Sequence, residues 1–406
     1  MVVFLEQILI LLGCVHALIL SLFLLKQRTQ NPANIYLSLF TGIFSFVLFF
    51  IFLDISGIIF VYPHLIGVQE WLIPLLGPLL FLYVLKLTAQ GPNTPIWYHF
   101  IPSMIIAALS VEFLMQDVTL KSQFISAESL LTPANERFEH LVDTIIPAFS
   151  LIQITCYLLL IFKVLKHHAI NVKKQFSYLE KVNLAWLLWL SKFIAVLLLL
   201  WLIDELIALH IRLCFDTSLN MMCNMPWVNE DRYFYPSEIG IIICVYAITY
   251  YALKQPAIFY QQIQKLEKTI DDPSHTVQNT PRYANSALSE PLAQQLFNEL
   301  DAQVKKQQIY TNPILTLDEL ANITGWSRHQ LSQAINQVSG RHFFDYINML
   351  RIESAKQLLL AQPQKTVLEI ALETGFNSRS AFYTAFKKCT QQTPTQYKKA
   401  QPLAIK

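Results

Sequence analysis

The sequence contains little charge for its length. Only 14% of its 406 residues are charged and 54% are hydrophobic, and the mean hydropathy is +0.40. A soluble globular protein carries roughly 25% charged residues, so this composition excludes a chain that is soluble along its whole length. From Tyr283 onward the composition becomes that of an ordinary soluble domain, with 13 Lys and Arg against 9 Asp and Glu, a net charge of +4.

The sequence also lacks the patterns of an enzyme. It has only 10 glycines and no glycine-rich loop that would hold a phosphate. It shows no nucleophile beside a base and no His, Cys, Asp or Glu at metal-ligand spacing. We therefore predict that the protein is not an enzyme and needs no cofactor or metal.

Long apolar runs occupy the first 255 or so residues. A bilayer core about 30 Å thick is crossed by a helix of about 20 apolar residues. Seven segments have this length: residues 3–25, 36–59, 71–89, 96–115, 141–162, 183–207 and 237–253. The first is predicted to be a retained span and not a secretion signal, because its positive charges, Lys26 and Arg28, follow the apolar stretch.

The charges between these segments predict the orientation. The connections after the first, third and fifth segments hold 8 basic residues and one acid, Glu180, whereas the other three hold 4 basic residues and 8 acids. Lys and Arg are retained on the cytoplasmic side of a membrane. The sequence thus predicts a multi-pass protein of the bacterial inner membrane with its amino terminus outside and its carboxyl terminus in the cytoplasm.

Two features of the membrane part suggest function. Lys192 lies about nine residues into the sixth segment, where a charge is costly, so it is a candidate signal-sensing residue that could pair with an acid across the bundle. Cys214 and Cys223 share a predicted outside loop, where a disulfide is one alternative and two free thiols are the other. Nearby methionines would also suit Cu(I), but apolar residues at a membrane surface are the simpler interpretation.

One sequence motif occurs twice near the carboxyl end, as "ELANITGWSR" from Glu319 and "EIALETGFNSR" from Glu369. In the first copy Thr316 and Glu319 have the spacing of a capping box, and Gly325 can take the left-handed conformation that ends a helix. Ser327 can then cap a second helix that turns Leu331 and Ile335 inward. A helix, a short turn with glycine and a capped helix predict a helix-turn-helix unit.

The second copy repeats this design with one inserted residue, Asn377. Thr366 starts a helix, Gly375 ends it, and Ser378 caps the next helix, whose buried positions are Phe382 and Phe386. Between the copies, a helix of about 18 residues is predicted with a continuous apolar face. That face consists of Phe344, Ile347, Leu350, Ala355, Leu358 and Leu359. Before the first copy, another helix is predicted with a stripe of Leu292, Leu296, Leu300 and Val304.

Residues 314–399 closely resemble the AraC/XylS family of bacterial transcription regulators. The resemblance is carried by "LRIESAKQLL", "GFNSRSAFYTAFKK" and "TPTQY". It implies two helix-turn-helix units joined by a helix, each placing a recognition helix in one of two successive major grooves of DNA. Members often have a basic residue where Gln333 and Asn336 stand and glycine where Gln391 stands, so the first unit is expected to bind phosphate less tightly.

The resemblance also implies which side chains meet DNA. The groove-facing residues of the two recognition helices would be Arg328, His329, Ser332, Gln333, Arg379, Ser380, Tyr383 and Thr384. Arg and Gln offer paired hydrogen bonds to guanine and adenine edges. Lys387 and Lys388 would contact phosphate, which positions the domain without reading sequence.

These observations predict an all-α protein with three parts. Residues 1–255 form a seven-span membrane sensor domain, 256–288 a juxtamembrane helix and flexible linker, and 289–406 a tandem helix-turn-helix domain that binds DNA. The predicted function is a membrane-bound transcription regulator that couples a membrane or outside signal to promoter binding, working as a homodimer with the transcription machinery. The alternatives are a transporter or intramembrane enzyme with a regulatory tail, and a structural tether for partner proteins.

Overall fold

The computed structural model describes residues 2–88, 95–119, 121, 137–138, 141–179, 184–216, 236–254 and 288–400. Their regular secondary structure is helical, apart from a single isolated bridge between Phe176 and Thr316, which confirms the predicted all-α fold. The chain divides into two compact units. The first comprises residues 1–165 and 185–268, and the second comprises residues 166–184 and 269–406.

The first unit is built from apolar helices. They are α1 (Val2–Lys26), α2 (Asn34–Ile55), the short α3 (Ile58–Val61), α4 (Leu76–Leu87), α5 (Ile101–Leu114), α6 (Ile146–Gln175), α7 (Ala185–Asp216) and α8 (Pro236–Lys254). The last ten residues of α6 belong to the second unit. Pro74 lies in a 3-10 helix, Glu70–Leu75, that leads into α4. Because proline lacks a backbone N–H, this is where the third predicted span is broken.

Six helical segments of the described residues are long and apolar enough to cross a membrane. They correspond to the first six segments that the sequence predicted. In α8 the apolar stretch is shorter, Ser237–Tyr251, so the count of seven spans stays a prediction. Many apolar side chains on these helices are exposed, such as Leu12, Met104 and Leu159, as is expected where a helix faces lipid.

Small polar side chains join α1 to α2. The Ser45 hydroxyl donates to the Cys14 carbonyl over 2.9 Å, and the Ser38 hydroxyl donates to the Ser21 carbonyl over 2.8 Å. Within a membrane the hydrophobic effect does not hold two helices together, so close approach and such hydrogen bonds do. This pair of helices therefore has a specific register.

The second unit contains the helices predicted before, within and between the two copies of the motif, and one further helix after the second copy. They are α9 (Glu290–Lys306), α10 (Leu317–Thr324), α11 (Arg328–Ser339), α12 (Phe343–Ala361), α13 (Val367–Glu373), α14 (Arg379–Thr390) and α15 (Pro394–Ala400). Two apolar cores lie along α12. Phe343, Tyr346 and Ile347 belong to the first core, with α9, α10 and α11, and Ala355 and Leu359 belong to the second, with α13 and α14.

Local signals in the sequence predicted the helix ends well. Thr316 with Glu319 forms the expected capping box, as do Thr366 and Glu369. Gly325 has the left-handed φ of 75° that ends α10. Two predicted core positions are wrong by one residue.

Ala293 is buried in α9 in place of the exposed Leu292, and Phe343 is buried in α12 while Phe344 is only half-buried. Each predicted stripe is therefore rotated slightly at its first turn. At the start of a helix no preceding turn fixes which side faces the core.

Gln391 ends α14 with φ of 60°, in the left-handed region that glycine favours. The family resemblance places glycine at this position. A left-handed conformation costs an L-residue roughly 1–2 kcal/mol. Glycine avoids this cost, but part of the resulting stabilisation is lost because glycine gives the unfolded chain more conformational entropy.

We expect Gln391→Gly to stabilise the second unit by about 0.5–1 kcal/mol. The measurement is hydrogen exchange of the α14 amides in the full chain. Gln392→Gly is the matched control, since Gln392 has no positive φ, and it should be neutral or destabilising. Equal effects of the two changes would contradict the strain at Gln391.

Candidate nucleic-acid interface

The two predicted recognition helices, α11 and α14, begin in the same way. The Ser327 hydroxyl accepts a hydrogen bond from the backbone N–H of Gln330, and the Ser378 hydroxyl accepts one from that of Ala381. An arginine follows each cap, Arg328 in α11 and Arg379 in α14. The inward sides hold Leu331 with Ile335 and Phe382 with Phe386, all fully buried. One side of each helix therefore packs in a core, and the opposite side faces away from that core and can contact another molecule.

The predicted DNA-facing side chains lie on the available sides. His329, Arg379, Ser380, Thr384, Lys387 and Lys388 are exposed, and Arg328, Ser332, Gln333 and Tyr383 are half-buried. The amide oxygen of Gln333 is buried without a hydrogen-bond partner among the described residues. Unsatisfied buried polar atoms are uncommon, so this oxygen distinguishes Gln333 from the other predicted DNA-facing side chains.

Arg328 is held by an ion pair. Its Nε lies 2.9 Å from a carboxylate oxygen of Asp318, which belongs to α10. Both side chains are more than a third exposed, so the pair contributes little to stability. The ion pair holds the guanidinium at the start of α11. It also offsets one positive charge at that position.

Arg379 is oriented by an aromatic ring instead. Its guanidinium carbon lies 5.1 Å from the ring centre of Tyr383, one helical turn further along α14. Hydrogen bonds from Thr395 and from Arg379 lower the pKa of the Tyr383 hydroxyl. This contact leaves the charge of Arg379 uncompensated, in contrast to Arg328.

The two lysines at the end of α14 differ. The ammonium of Lys388 lies 2.6 Å from a carboxylate oxygen of Asp345 at the start of α12. Lys387 is exposed and has no ion pair within the described part of the chain. Of these two lysines, Lys387 thus presents the positive charge that no carboxylate of the described residues offsets.

The two cores meet at Arg351, a residue that the sequence analysis did not single out. It lies in the middle of α12 and is 1% exposed. Its Nε donates to the carbonyl of Tyr310 and its Nη2 to that of Asn312, both over 2.7 Å. Its guanidinium also lies 5.6 Å from the ring centre of Phe376. Burial lowers the pKa of Arg351 to about 10, so it stays charged at neutral pH.

Ser177 occupies the other side of this guanidinium. Arg351 donates to the Ser177 carbonyl and to the Ser177 hydroxyl, each over 3.1 Å. That hydroxyl donates in turn to the Leu315 carbonyl over 2.7 Å. Ser177 is 1% exposed, and the neighbouring Phe176 forms the bridge to Thr316. The segment 166–184 is therefore built into the second unit, although it directly follows an apolar helix along the chain.

The loop at 310–315 also reaches the second helix-turn-helix unit. Gly375 has φ of 90°, and a Cβ added there would lie 2.6 Å from the Thr311 carbonyl oxygen, so only glycine fits. The inserted Asn377 donates from its side chain to the Pro313 carbonyl over 2.8 Å. The insertion thus has a structural role, because it fastens the second turn to this loop.

The remaining sequence-based candidates lie elsewhere. Lys192 is exposed, with its ammonium 4.8 Å from the ring centre of Trp189 on the same helix. Cys223 and the side chain of Cys214 lie outside the described residues, as does the predicted juxtamembrane helix. Within the described part of the chain, no three His, Cys, Asp or Glu side chains converge on a metal position.

Comparison with known proteins places the matches in this second unit. The helix-turn-helix domain family matches residues 320–400. An uncharacterized HTH-type transcriptional regulator from Staphylococcus aureus (strain COL) is 38% identical over 95 residues, which make up 23% of this chain and 13% of that protein. Another, from Pseudoalteromonas carrageenovora, is 39% identical over 90 residues, 22% of this chain and 52% of that protein. The chain thus spans only part of the length of these relatives.

Two solved structures are also similar. The C-terminal domain of AraT, a response regulator from Geobacillus stearothermophilus, is 29% identical with a TM-score of 0.24, covering 29% of this chain and 89% of that domain. The C-terminal domain of the two-component response regulator yesN from Fusobacterium nucleatum is 35% identical with a TM-score of 0.23, covering 25% of this chain and 98% of that domain.

Residues 320–400 are a helix-turn-helix domain of the AraC type, which confirms the resemblance. Its helices α10 with α11 and α13 with α14 are the two helix-turn-helix units, and α12 joins them.

Replacing Arg351 tests the junction of the two cores. We expect Arg351→Met to destabilise the second unit by roughly 3 kcal/mol, since several buried acceptors would lose their donor. Hydrogen exchange of the α12 amides in the full chain measures this. Lys356→Met is the matched control on the same helix, because its ion pair with Glu353 is near the surface, and it should cost under about 1 kcal/mol. Similar costs for both would show that Arg351 does not hold the junction.

Proposed function

We propose that this protein is a bacterial inner-membrane transcription regulator that binds promoter DNA with its cytoplasmic second unit. One observation carries the proposal: a single chain holds six apolar helices of membrane-spanning length and an AraC-type helix-turn-helix domain. The excess of basic residues in alternate connections supports an amino terminus outside and a carboxyl terminus in the cytoplasm. The first unit receives a signal and the second unit acts on DNA.

In this proposal α11 and α14 enter successive major grooves of the DNA. Arg328 and Arg379 stand at the first position of each helix, where recognition helices contact base edges. His329, Ser332 and Gln333 accompany the first arginine, and Ser380, Tyr383 and Thr384 accompany the second. Lys387 contacts phosphate, and Lys388 does so more weakly because Asp345 already offsets its charge.

The first test uses the operator found by mapping binding sites across the genome. We expect Arg328→Ala and Arg379→Ala each to weaken operator binding by about 1–3 kcal/mol and to relax base preference at one position. Lys387→Ala is the control for phosphate contact. It should weaken operator and random duplex alike and lower the salt slope by about 1. Fluorescence anisotropy of labelled duplexes measures all three.

A structural tether would give the opposite result. If both arginine variants bound the operator as the parent chain does, the assignment of α11 and α14 as reading helices would be wrong.

A second copy of the chain completes the proposed mechanism. The domain from Tyr283 onward has a net charge of only +4, so its electrostatic attraction to DNA is modest. Pairing two membrane units raises the local concentration of the second domain without changing either DNA contact. A signal that favours pairing would thereby favour binding to a promoter with two sites.

In this proposal, residues 166–184 transmit the signal from the first unit to the helix-turn-helix domain. This segment follows the apolar part of α6 and precedes α7, and it belongs to the second unit. Ser177 bonds to Arg351 of α12, the helix that contributes to both cores. A shift of α6 or α7 would therefore act on the helix that holds the two recognition helices.

Ser177→Ala tests this connection. We expect expression from the mapped promoter to move to the level of a chain in which residues 1–287 are replaced by an unrelated single-span anchor. The hydroxyl that links Arg351 to the Leu315 carbonyl would be gone. Purified Ser177→Ala protein should still bind the operator.

Ser191→Ala is the matched control. Ser191 is also buried, but it donates only within α7, to Leu187, so expression should stay at the parent level. If Ser177→Ala behaved as the parent while the anchor chain differed, the segment would not carry the coupling.

A further inference from the structure

A cavity of about 480 Å³ lies within the first unit, among α2, α4, α6, α7 and α8. Most of the side chains that line it are apolar, including Phe44, Leu80, Leu158, Leu197 and Ile241. This volume lies in the range of cavities that bind small organic molecules. The sequence analysis had no signal for it, since its lining comes from helices that are far apart along the chain.

Four acids are among the residues that line the cavity. They are Glu70, Asp204, Glu205 and Glu238, and none of the described lining residues is Lys, Arg or His. Asp204 and Glu205 lie in the carboxyl-terminal part of α7, and Glu238 lies in the first turn of α8. In the proposed topology these positions fall toward the outer face of the membrane, while the apolar lining extends toward its middle.

Two of these acids accept hydrogen bonds from neutral side chains. The indole N–H of Trp201 donates to Glu205 over 2.9 Å, and the side-chain amide of Gln69 donates to Glu70 over 2.8 Å. These donors orient the two carboxylates.

Asp204 is different, because it is 2% exposed and only partly satisfied. One carboxylate oxygen accepts a hydrogen bond from the Ser237 backbone N–H over 3.2 Å. The other oxygen is buried and has no hydrogen-bond partner among the described residues. A buried carboxylate oxygen without a donor is rare and costly. A donor from a bound molecule would satisfy it.

We propose that this cavity binds an amphiphilic organic ammonium ion, with its apolar body among the lining helices and its N–H groups directed at Asp204. Asp204 offers an acceptor to the N–H groups, the carboxyl groups of the lining favour a cation over an anion, and the apolar lining selects a hydrophobic body. No three metal-ligating side chains of the described residues converge, which favours an organic ammonium over a metal ion.

The inference deepens the proposed function, since this ligand would be the signal of the regulator. The cavity is lined by both α6 and α7, for example by Leu158 and Leu197. These two helices flank residues 166–184, the segment that contains Ser177. A ligand bound there would therefore act on the two helices that are continuous with the coupling segment.

The test uses the full chain in lipid nanodiscs and equilibrium dialysis against 1-pyrenemethylammonium, with uptake by empty nanodiscs subtracted. We expect saturable binding of this ion and at least tenfold weaker binding of the similarly shaped neutral 1-pyrenemethanol, since a charge-assisted hydrogen bond contributes about 1.5–3 kcal/mol. Asp204→Asn and Glu238→Gln should each weaken binding of the ammonium about tenfold.

Two further variants separate the site from general effects on the bundle. Asp117→Asn removes an exposed acid beyond α5 that does not line the cavity, and it should leave binding unchanged. Ala208→Phe keeps all four acids but fills space in the cavity one helical turn from Asp204, and it should abolish binding while the protein still elutes as a single species in size-exclusion chromatography.

Several outcomes would overturn the inference: equal binding of the alcohol, ammonium uptake no greater than that of empty nanodiscs, or unchanged binding by Asp204→Asn and Ala208→Phe. Operator binding by the same samples keeps the two proposals apart. A chain that binds the operator but not the ammonium refutes the cavity site alone. A chain that binds the ammonium but no duplex refutes the proposed function.

Discussion

The buried guanidinium of Arg351 is the interaction on which the arrangement of the second unit depends. A charge taken out of water is costly unless hydrogen bonds compensate it, and here carbonyls at Tyr310 and Asn312 and both oxygens of Ser177 do so. These acceptors come from two separate stretches of the chain. Arg351 therefore brings together the loop before the first helix-turn-helix unit, the helix between the units and the segment after α6.

That junction bears directly on how DNA could be read. Helix α12 has 19 residues, a length of about 28 Å at 1.5 Å per residue, while neighbouring major-groove faces repeat every ~34 Å. The length of α12 sets the approximate distance between the two helix-turn-helix units. The contacts of Gly375 and Asn377 with the loop at 310–315 fix the turn of the second unit. In the proposed function, α11 and α14 are held at a set spacing before DNA binds, so little conformational freedom would be lost on binding, which favours affinity.

The sequence predicted the features that depend on residues within about four positions, such as helix caps. It did not predict the contacts between residues that are far apart along the chain. Thr316 with Glu319 and Gly325 could be identified because a cap needs only its own turn. Arg351 interrupts the apolar run "MLRIES" at a buried position, which is a signal that could have been used. Ser177 offered none, since it stands 174 residues before its partner. The cavity was equally hidden, because its lining is assembled from helices that are far apart along the chain.

Charge pairing within the domain changes the balance between affinity and specificity. Arg328 and Lys388 are already paired with Asp318 and Asp345, and the domain from Tyr283 onward has a net charge of only +4. Less of its binding free energy can then come from phosphate attraction, which acts on every sequence alike. In the proposed function, a larger share would come from base contacts and from the domain of a second copy of the chain. Pairing of two membrane units would hold that second domain nearby without any gain in charge.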